Sequence, residues 1–254
     1  MSVEYQVNDG CAVFTLDNGP LNVANMAMHK SFYKHFLEFQ QDDAATVGVI
    51  VGAGDNFCAG DDLKEIRTEA WALTSTRWDH LLWEARRSKP MVAAMRGYAL
   101  GAGFLYATLM CDIRIAGESL KIGTPEIAYG MGGISGVTRL GLHLPPVHAA
   151  YLALTGEKID AHRARDIFLV NEVVADAEVL NRAMEVASMI AAHPLPAVKV
   201  ELDCLHRGME LSRADACHYS QQQYWLSRQL LGDDSNTGTE ALATMKSKRE
   251  KDND

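Results

Sequence analysis

Pro90-Met91-Val92-Ala93-Ala94-Met95-Arg96-Gly97-Tyr98-Ala99-Leu100-Gly101-Ala102-Gly103-Phe104 is the stretch on which the fold turns. Its apolar start, to Met95, reads as a buried strand closed by Gly97. A Gly-punctuated apolar helix over about 101–110 follows, and then a further strand from Asp112 to Ala116. The same alternation runs upstream. Cys11 to Leu16 is a strand after the turn signal Asn8-Asp9-Gly10, and Asn18-Gly19-Pro20 breaks it. Met26, Phe32, Phe36 and Phe39 recur at helical spacing over 26–40. Val47 to Val51 is another strand, ended by Gly52-Ala53-Gly54, with a polar, helix-compatible segment from about 62 to 88. Strand and helix in alternation predict an α/β fold with mostly parallel pairing.

Beyond about residue 140 the pattern turns helical, over 146–156, 160–168, 176–192 and 195–230, with one short strand-like run at Val170–Val174. The expected organisation is an α/β core over 1–190 and a helical region over 191–254. A 254-residue chain with 48% hydrophobic residues can bury a core that needs no disulfide or metal staple. Twenty-four basic against 33 acidic residues give a formal charge of -9, which argues against a nucleic-acid or anionic-membrane partner. Five scattered Cys without a CxxC read as reduced intracellular thiols. No basic region precedes an apolar stretch at the N-terminus and no run of spanning length occurs, so a cytoplasmic protein is expected.

Three Gly-containing segments follow apolar runs: Phe57 to Glu65, Arg96 to Phe104, and Gly123-Thr124-Pro125-Glu126 continuing into Gly130 to Gly136. Small residues at strand-to-helix junctions let backbone N–H groups approach an anionic oxygen, and two such junctions face to face would make an oxyanion hole. A dinucleotide site fits poorly. The Gly97-x-x-x-Gly101-x-Gly103 spacing falls far from the first strand, and no Tyr-x-x-x-Lys follows it. Gly133-Ile134-Ser135-Gly136 lacks the nucleophile-elbow spacing, and no His-Glu-x-x-His is present, so neither a serine hydrolase nor a metal site is expected. The nine His read as surface or satisfied core residues.

Taken in order, the segments resemble the enoyl-CoA hydratase/isomerase (crotonase) superfamily over nearly the whole chain. The likeness runs from Gly19-Pro20-Leu21-Asn22 through Phe57 to Glu65, Lys89 to Gly97, Cys111 to Ala116 and Leu154-Thr155-Gly156-Glu157, to a ragged Ala241 to Arg249. The resemblance implies a spiral of repeated ββα units with a helical C-terminal oligomerisation region, in homotrimers or homohexamers. It implies an acyl-CoA substrate, no cofactor beyond that coenzyme A, and a place in fatty acid metabolism. The thioester carbonyl would sit between the amides of Asp61 and Ala102, with Gly103 as the alternative second donor. Ala59, Gly60, Asp62, Leu63 and Lys64 would cradle the CoA, and Glu126 of the Pro-Glu pair would be the acid–base group.

Two departures bear on the chemistry. Hydratases of this family use a second carboxylate just after the glycine loop, where this chain reads Phe104-Leu105-Tyr106-Ala107. The stretch from Gly103 to Cys111 is one residue longer than the family norm, which brings Leu105 or Tyr106 to the acid's place, and Gly130 to Arg139 is one residue short. A lone carboxylate suffices for a proton shuttle, so double-bond isomerisation with Glu126 as single acid/base is the leading expectation. Hydration, another crotonase reaction (C–C cleavage or thioester hydrolysis), with Tyr106 placing water, and a catalytically weak acyl-CoA-binding homologue are the alternatives. Trp71, Trp78 and Trp83 are expected to pack as core or to line the acyl chain. Lys246, Lys248 and Arg249 would reach a CoA phosphate or form a solvated tail.

Overall fold

A computed structural model describes residues 2–66, 68, 86–132 and 137–231. The tryptophans at 71, 78 and 83, the 133–136 glycine segment and the basic residues at 246–249 lie outside the described residues. The chain divides into two compact units, 1–195 and 196–254.

The strands of the first unit are β1 (Ser2–Asn8), β2 (Cys11–Asp17), β3 (Val47–Gly52), β4 (Met91–Met95), β5 (Tyr98–Leu100), β6 (Ile113–Gly117), β7 (Lys121–Gly123), β8 (Ile159–Asp160) and β9 (Glu172–Val174). Its helices are α1 (Met26–Gln41), α2 (Ala102–Leu109), α3 (Leu140–His143), α4 (Pro146–Thr155), α5 (Ala161–Asp166) and α6 (Val179–Ala191). Six strands form one sheet in the order β1-β2-β3-β4-β6-β9, and β5-β7-β8 form a second. Only β1 runs antiparallel in the large sheet, and it joins β2 through Asp9-Gly10, both at positive φ. That geometry matches the twist of a two-residue hairpin, and Asp-Gly is among the pairs that adopt it most readily.

The large sheet is apolar on both faces, as the continuous apolar runs predict for parallel strands. Phe14, Ile50, Met91, Ala93 and Met95 face one core with Phe32, Phe36 and Phe39 of α1. Val47, Val49, Val92, Ala94 and Ile115 face the other way, onto Val179, Ala183 and Ala187 of α6. The period of two along each strand thus sorts neighbours into two separate packing layers. On α1 the buried stripe is Met28, His29, Phe32, Phe36 and Phe39, so Met28 takes the place expected for Met26.

The edge strand β1 was not foreseen, because its Val3, Tyr5 and Val7 alternate with polar residues on a half-exposed face. The short strands β5, β7 and β8 are two or three residues each and leave no periodic signal. In the second unit, the helical stretch expected over 195–230 is two helices, α7 (Leu195–Gly208) and α8 (Arg213–Leu231). Ser212 breaks it by capping the second helix, its Oγ accepting from Asp215 N at 3.3 Å. Within this unit Asp203 accepts from Arg207 Nε at 2.8 Å and from the Tyr219 hydroxyl.

Asn22 fixes the turn that delivers the chain to the site. It is fully buried at φ 46, and its Nδ2 donates to Ala53 O at 2.9 Å and Asn56 O at 2.7 Å. Its Oδ1 accepts from Asn18 N at 3.1 Å. Asn tolerates the left-handed region better than other side chains. Replacing Asn22 with Ala removes three bonds and strands two carbonyls, so urea unfolding is expected to show a loss of about 2–3 kcal/mol.

Candidate active site

The segment after β3 runs alongside two partners. Cys58 forms a parallel bridge with Ala99 of β5, and Ala24 forms one with Asp61. In the second bridge Ala24 N donates to Gly60 O at 2.8 Å and Ala24 O accepts from Asp62 N at 3.0 Å. Parallel pairing of this form leaves the amide of the central residue, Asp61, pointing toward the opposite edge. On that edge the chain of β5 turns into α2. Gly60, at φ +105, is so close that a Cβ there would meet Leu100 O at 3.2 Å.

Gly101 is the N-cap of α2, at φ 53 and ψ −117. A Cβ on it would lie 2.2 Å from Glu126 Oε1 and 3.5 Å from the Gly60 Cα. Gly60, Gly101 and Glu126 therefore converge on one point. The N–H groups of Ala102 and Gly103 open α2, where no intrahelical acceptor exists. Gly103 is also an obligatory contact, since a Cβ there would stand 2.2 Å from Cys58 O. The expected donors Asp61 and Ala102 thus sit on the two segments that the glycines bring together.

Glu126 lies in the one-and-a-half-turn 3₁₀ helix Pro125–Tyr129, which Gly130 ends in the left-handed conformation. Burial pushes its carboxyl above the ordinary value. Its own backbone amide opposes that shift, and the charge of Asp61 adds to it. Glu126 Oε2 and, two residues earlier, Thr124 Oγ1 are buried without a hydrogen-bond partner among the described residues. Of the two, the Glu126 carboxylate lies at the point of convergence, against Gly101.

Asp61 itself is anchored. Its Oδ1 accepts from His29 Nε2 at 2.8 Å, and His29 Nδ1 lies 2.8 Å from the Tyr106 hydroxyl. Tyr106, expected to stand in for the missing acid or to touch substrate, is fully buried and reaches the site through His29. Leu105 also packs into the core. The extra residue of this stretch therefore supplies no second carboxylate. His29, read from sequence as a surface or satisfied core residue, is buried with both ring nitrogens paired, one of them to the expected site residue Asp61.

The remaining loop residues, expected to cradle CoA, form a turn. Ala59 N donates to Leu21 O at 2.9 Å, Asp62 Oδ1 accepts from Lys64 N at 2.9 Å, and Leu63 and Lys64 are exposed. Glu65 Oε2 accepts from Met26 N at 2.8 Å and, with Asn25 accepting from Met28 N, caps α1. Among the described residues no three of His, Cys, Asp and Glu are grouped to hold a metal, and no helix is long and apolar enough to cross a membrane.

The family model for enoyl-CoA hydratase/isomerase matches residues 6–246, and the chain belongs to that family. It is similar to the mevalonyl-coenzyme A hydratase of Aspergillus fumigatus, 31% identical over 87% of this chain and 83% of that protein. The 2,3-dehydroadipyl-CoA hydratase of Escherichia coli is 34% identical over 75% of this chain and 76% of its own. The crystal structure of enoyl-CoA hydratase from Bacillus anthracis superposes with a TM-score of 0.89, at 25% identity, over 96% of each chain. The architecture is the crotonase fold, as the ordered motifs implied.

Gly101→Ala tests the convergence. A side chain at φ 53 and ψ −117, outside the left-handed helical well, should cost about 1–3 kcal/mol. The added methyl has to displace the Glu126 carboxylate, so a crystal structure of the variant should show that side chain turned out of its seat.

Proposed function

We infer that this enzyme of the hydratase/isomerase family holds an acyl-CoA thioester as an enolate and shifts a double bond along the acyl chain, with Glu126 as its single acid–base group. The observation that carries the reading is the seat of the Glu126 carboxylate against Gly101, where the 58–62 segment and the start of α2 meet. In this reading the amides of Asp61 and Ala102 receive the thioester oxygen. Preset donors of this kind favour charge that develops during reaction over the neutral carbonyl.

Glu126 removes a proton from the carbon next to the thioester of a 3-enoyl-CoA. The C–H electron pair forms a carbon–carbon double bond and the carbonyl electrons move onto oxygen. On collapse, the acid form of Glu126 delivers the same proton two carbons away, which leaves a 2-enoyl-CoA. A carboxyl raised by burial is matched to both halves of this exchange. The Asp61–Lys64 turn would cradle the CoA, with the exposed Lys64 near a phosphate.

Hydration is the second reading, and one observation favours it. The charge of Asp61 is felt at Glu126, so a second carboxylate lies near the site, on a different loop and with one oxygen bonded to His29. The relatives named above are hydratases. Assembly into trimers or hexamers belongs to the same reading. It is supported by apolar side chains left exposed on α7 and α8, among them Leu205 and Trp225.

The purified protein should isomerise a 3-enoyl-CoA, and Glu126→Gln should lower kcat by about 10²–10⁴-fold. Rapid hydration of crotonyl-CoA, with no isomerisation, would replace the first reading by the second. Because Glu126 acts first as a base and its pKa is raised, activity should climb with pH through a limb above the ordinary carboxyl range. A pH–rate profile in which that limb sits at or below the ordinary range would contradict burial as the tuning force.

A further inference from the structure

The proton shuttle leaves His29 and Tyr106 without a task, yet both are polar groups placed deep in an aromatic core. His29 is 2% exposed and Tyr106 is not exposed at all, with the Phe32 ring centroid 4.9 Å from that of Tyr106. Burying such groups is costly unless each finds a partner. Their partners form a chain, Tyr106 hydroxyl to His29 Nδ1 and His29 Nε2 to Asp61 Oδ1, each link 2.8 Å. A carboxylate only accepts, so Nε2 carries the proton toward Asp61, whether the ring is neutral or charged. The Tyr106 hydroxyl turns to donate to Nδ1 in the first case and to accept in the second.

This chain joins three elements. His29 lies one turn into α1, Asp61 on the segment bridged to Ala24, and Tyr106 on α2 one turn beyond Ala102. It therefore links the residue that carries one proposed amide to the helix that carries the other. It also draws the Asp61 side chain toward α1, while the Asp61 amide points to the opposite edge. An unanchored carboxylate beside an enolate oxygen would repel the charge the site has to hold.

We propose that Tyr106 and His29 are positioning residues of the oxyanion site, fixing the Asp61 amide against the start of α2 and holding the Asp61 carboxylate away from the enolate oxygen. The inference rests on the enolate reading above. Neither residue touches the reacting atoms, and both act through Asp61.

Acetoacetyl-CoA tests this, because its enolate has a near-ultraviolet absorbance that its keto form lacks. CoA serves as the probe for the rest of the site. Wild-type protein should bind acetoacetyl-CoA with a rise in the enolate band. Tyr106→Phe and His29→Gln should each weaken that binding and band about three- to tenfold, the scale of one lost hydrogen bond, with CoA affinity unchanged. Adding Asp61→Asn to His29→Gln should restore much of the enolate signal, because the neutral amide no longer opposes the oxyanion. Enolate formation at wild-type strength in Tyr106→Phe and His29→Gln would overturn the proposal. So would a parallel loss of CoA and acetoacetyl-CoA binding, or a double variant weaker than His29→Gln. If the wild-type protein itself binds acetoacetyl-CoA with no enolate band, the enolate reading falls first, and the positioning roles fall with it.

Discussion

The 58–62 segment and the start of α2 approach so closely that glycine is needed where they touch, and the Glu126 side chain closes against the same place. At Gly101 a methyl would collide with the Glu126 carboxylate, and at Gly103 with the Cys58 carbonyl. Gly60, in the left-handed region, lies against Leu100 O. The closeness lets the amide edge of the 58–62 segment, the first turn of α2 and an acidic side chain meet in one small volume. The rest of the first unit works to hold it. Parallel strands β3 and β4 deliver the two segments from adjacent positions in the sheet, and their side chains are buried on both faces. Asn22 ties the incoming chain to the turn after β3.

Much of this was legible before any coordinates. The strands β2, β3, β4 and β6 are apolar runs closed by Gly or a polar turn, and burial on both faces of a parallel sheet demands such runs. Glu126 was legible through the resemblance, as the acid of the family's Pro-Glu pair. Other features were hidden for physical reasons. A strand of two or three residues has no period to read, and β1 shows a half-polar pattern because it is an edge. His29 reads as one more surface or satisfied core histidine. Its meaning lies in partners 32 and 77 residues away, and no local pattern encodes them.

The missing acid illustrates how a site can diverge while its scaffold stays. Where hydratases of the family carry a second carboxylate, Leu105 and Tyr106 turn into the core, and the carboxylate of Asp61 stands on a different segment, bonded to His29. The charge is tethered, since its side chain is bonded to a buried imidazole. Glu126 is pushed toward the neutral form by loss of water and by the nearby charge of Asp61.

The buried Glu126 carboxylate beside Gly101 couples occupancy to folding, because its Oε2 has no partner among the described residues. A buried polar atom without a partner withholds about 1–3 kcal/mol from the folded state. Any molecule that supplies the absent donor recovers part of it and raises the melting temperature. A chain repaired there by an apolar substitution would gain robustness at the cost of that acceptor.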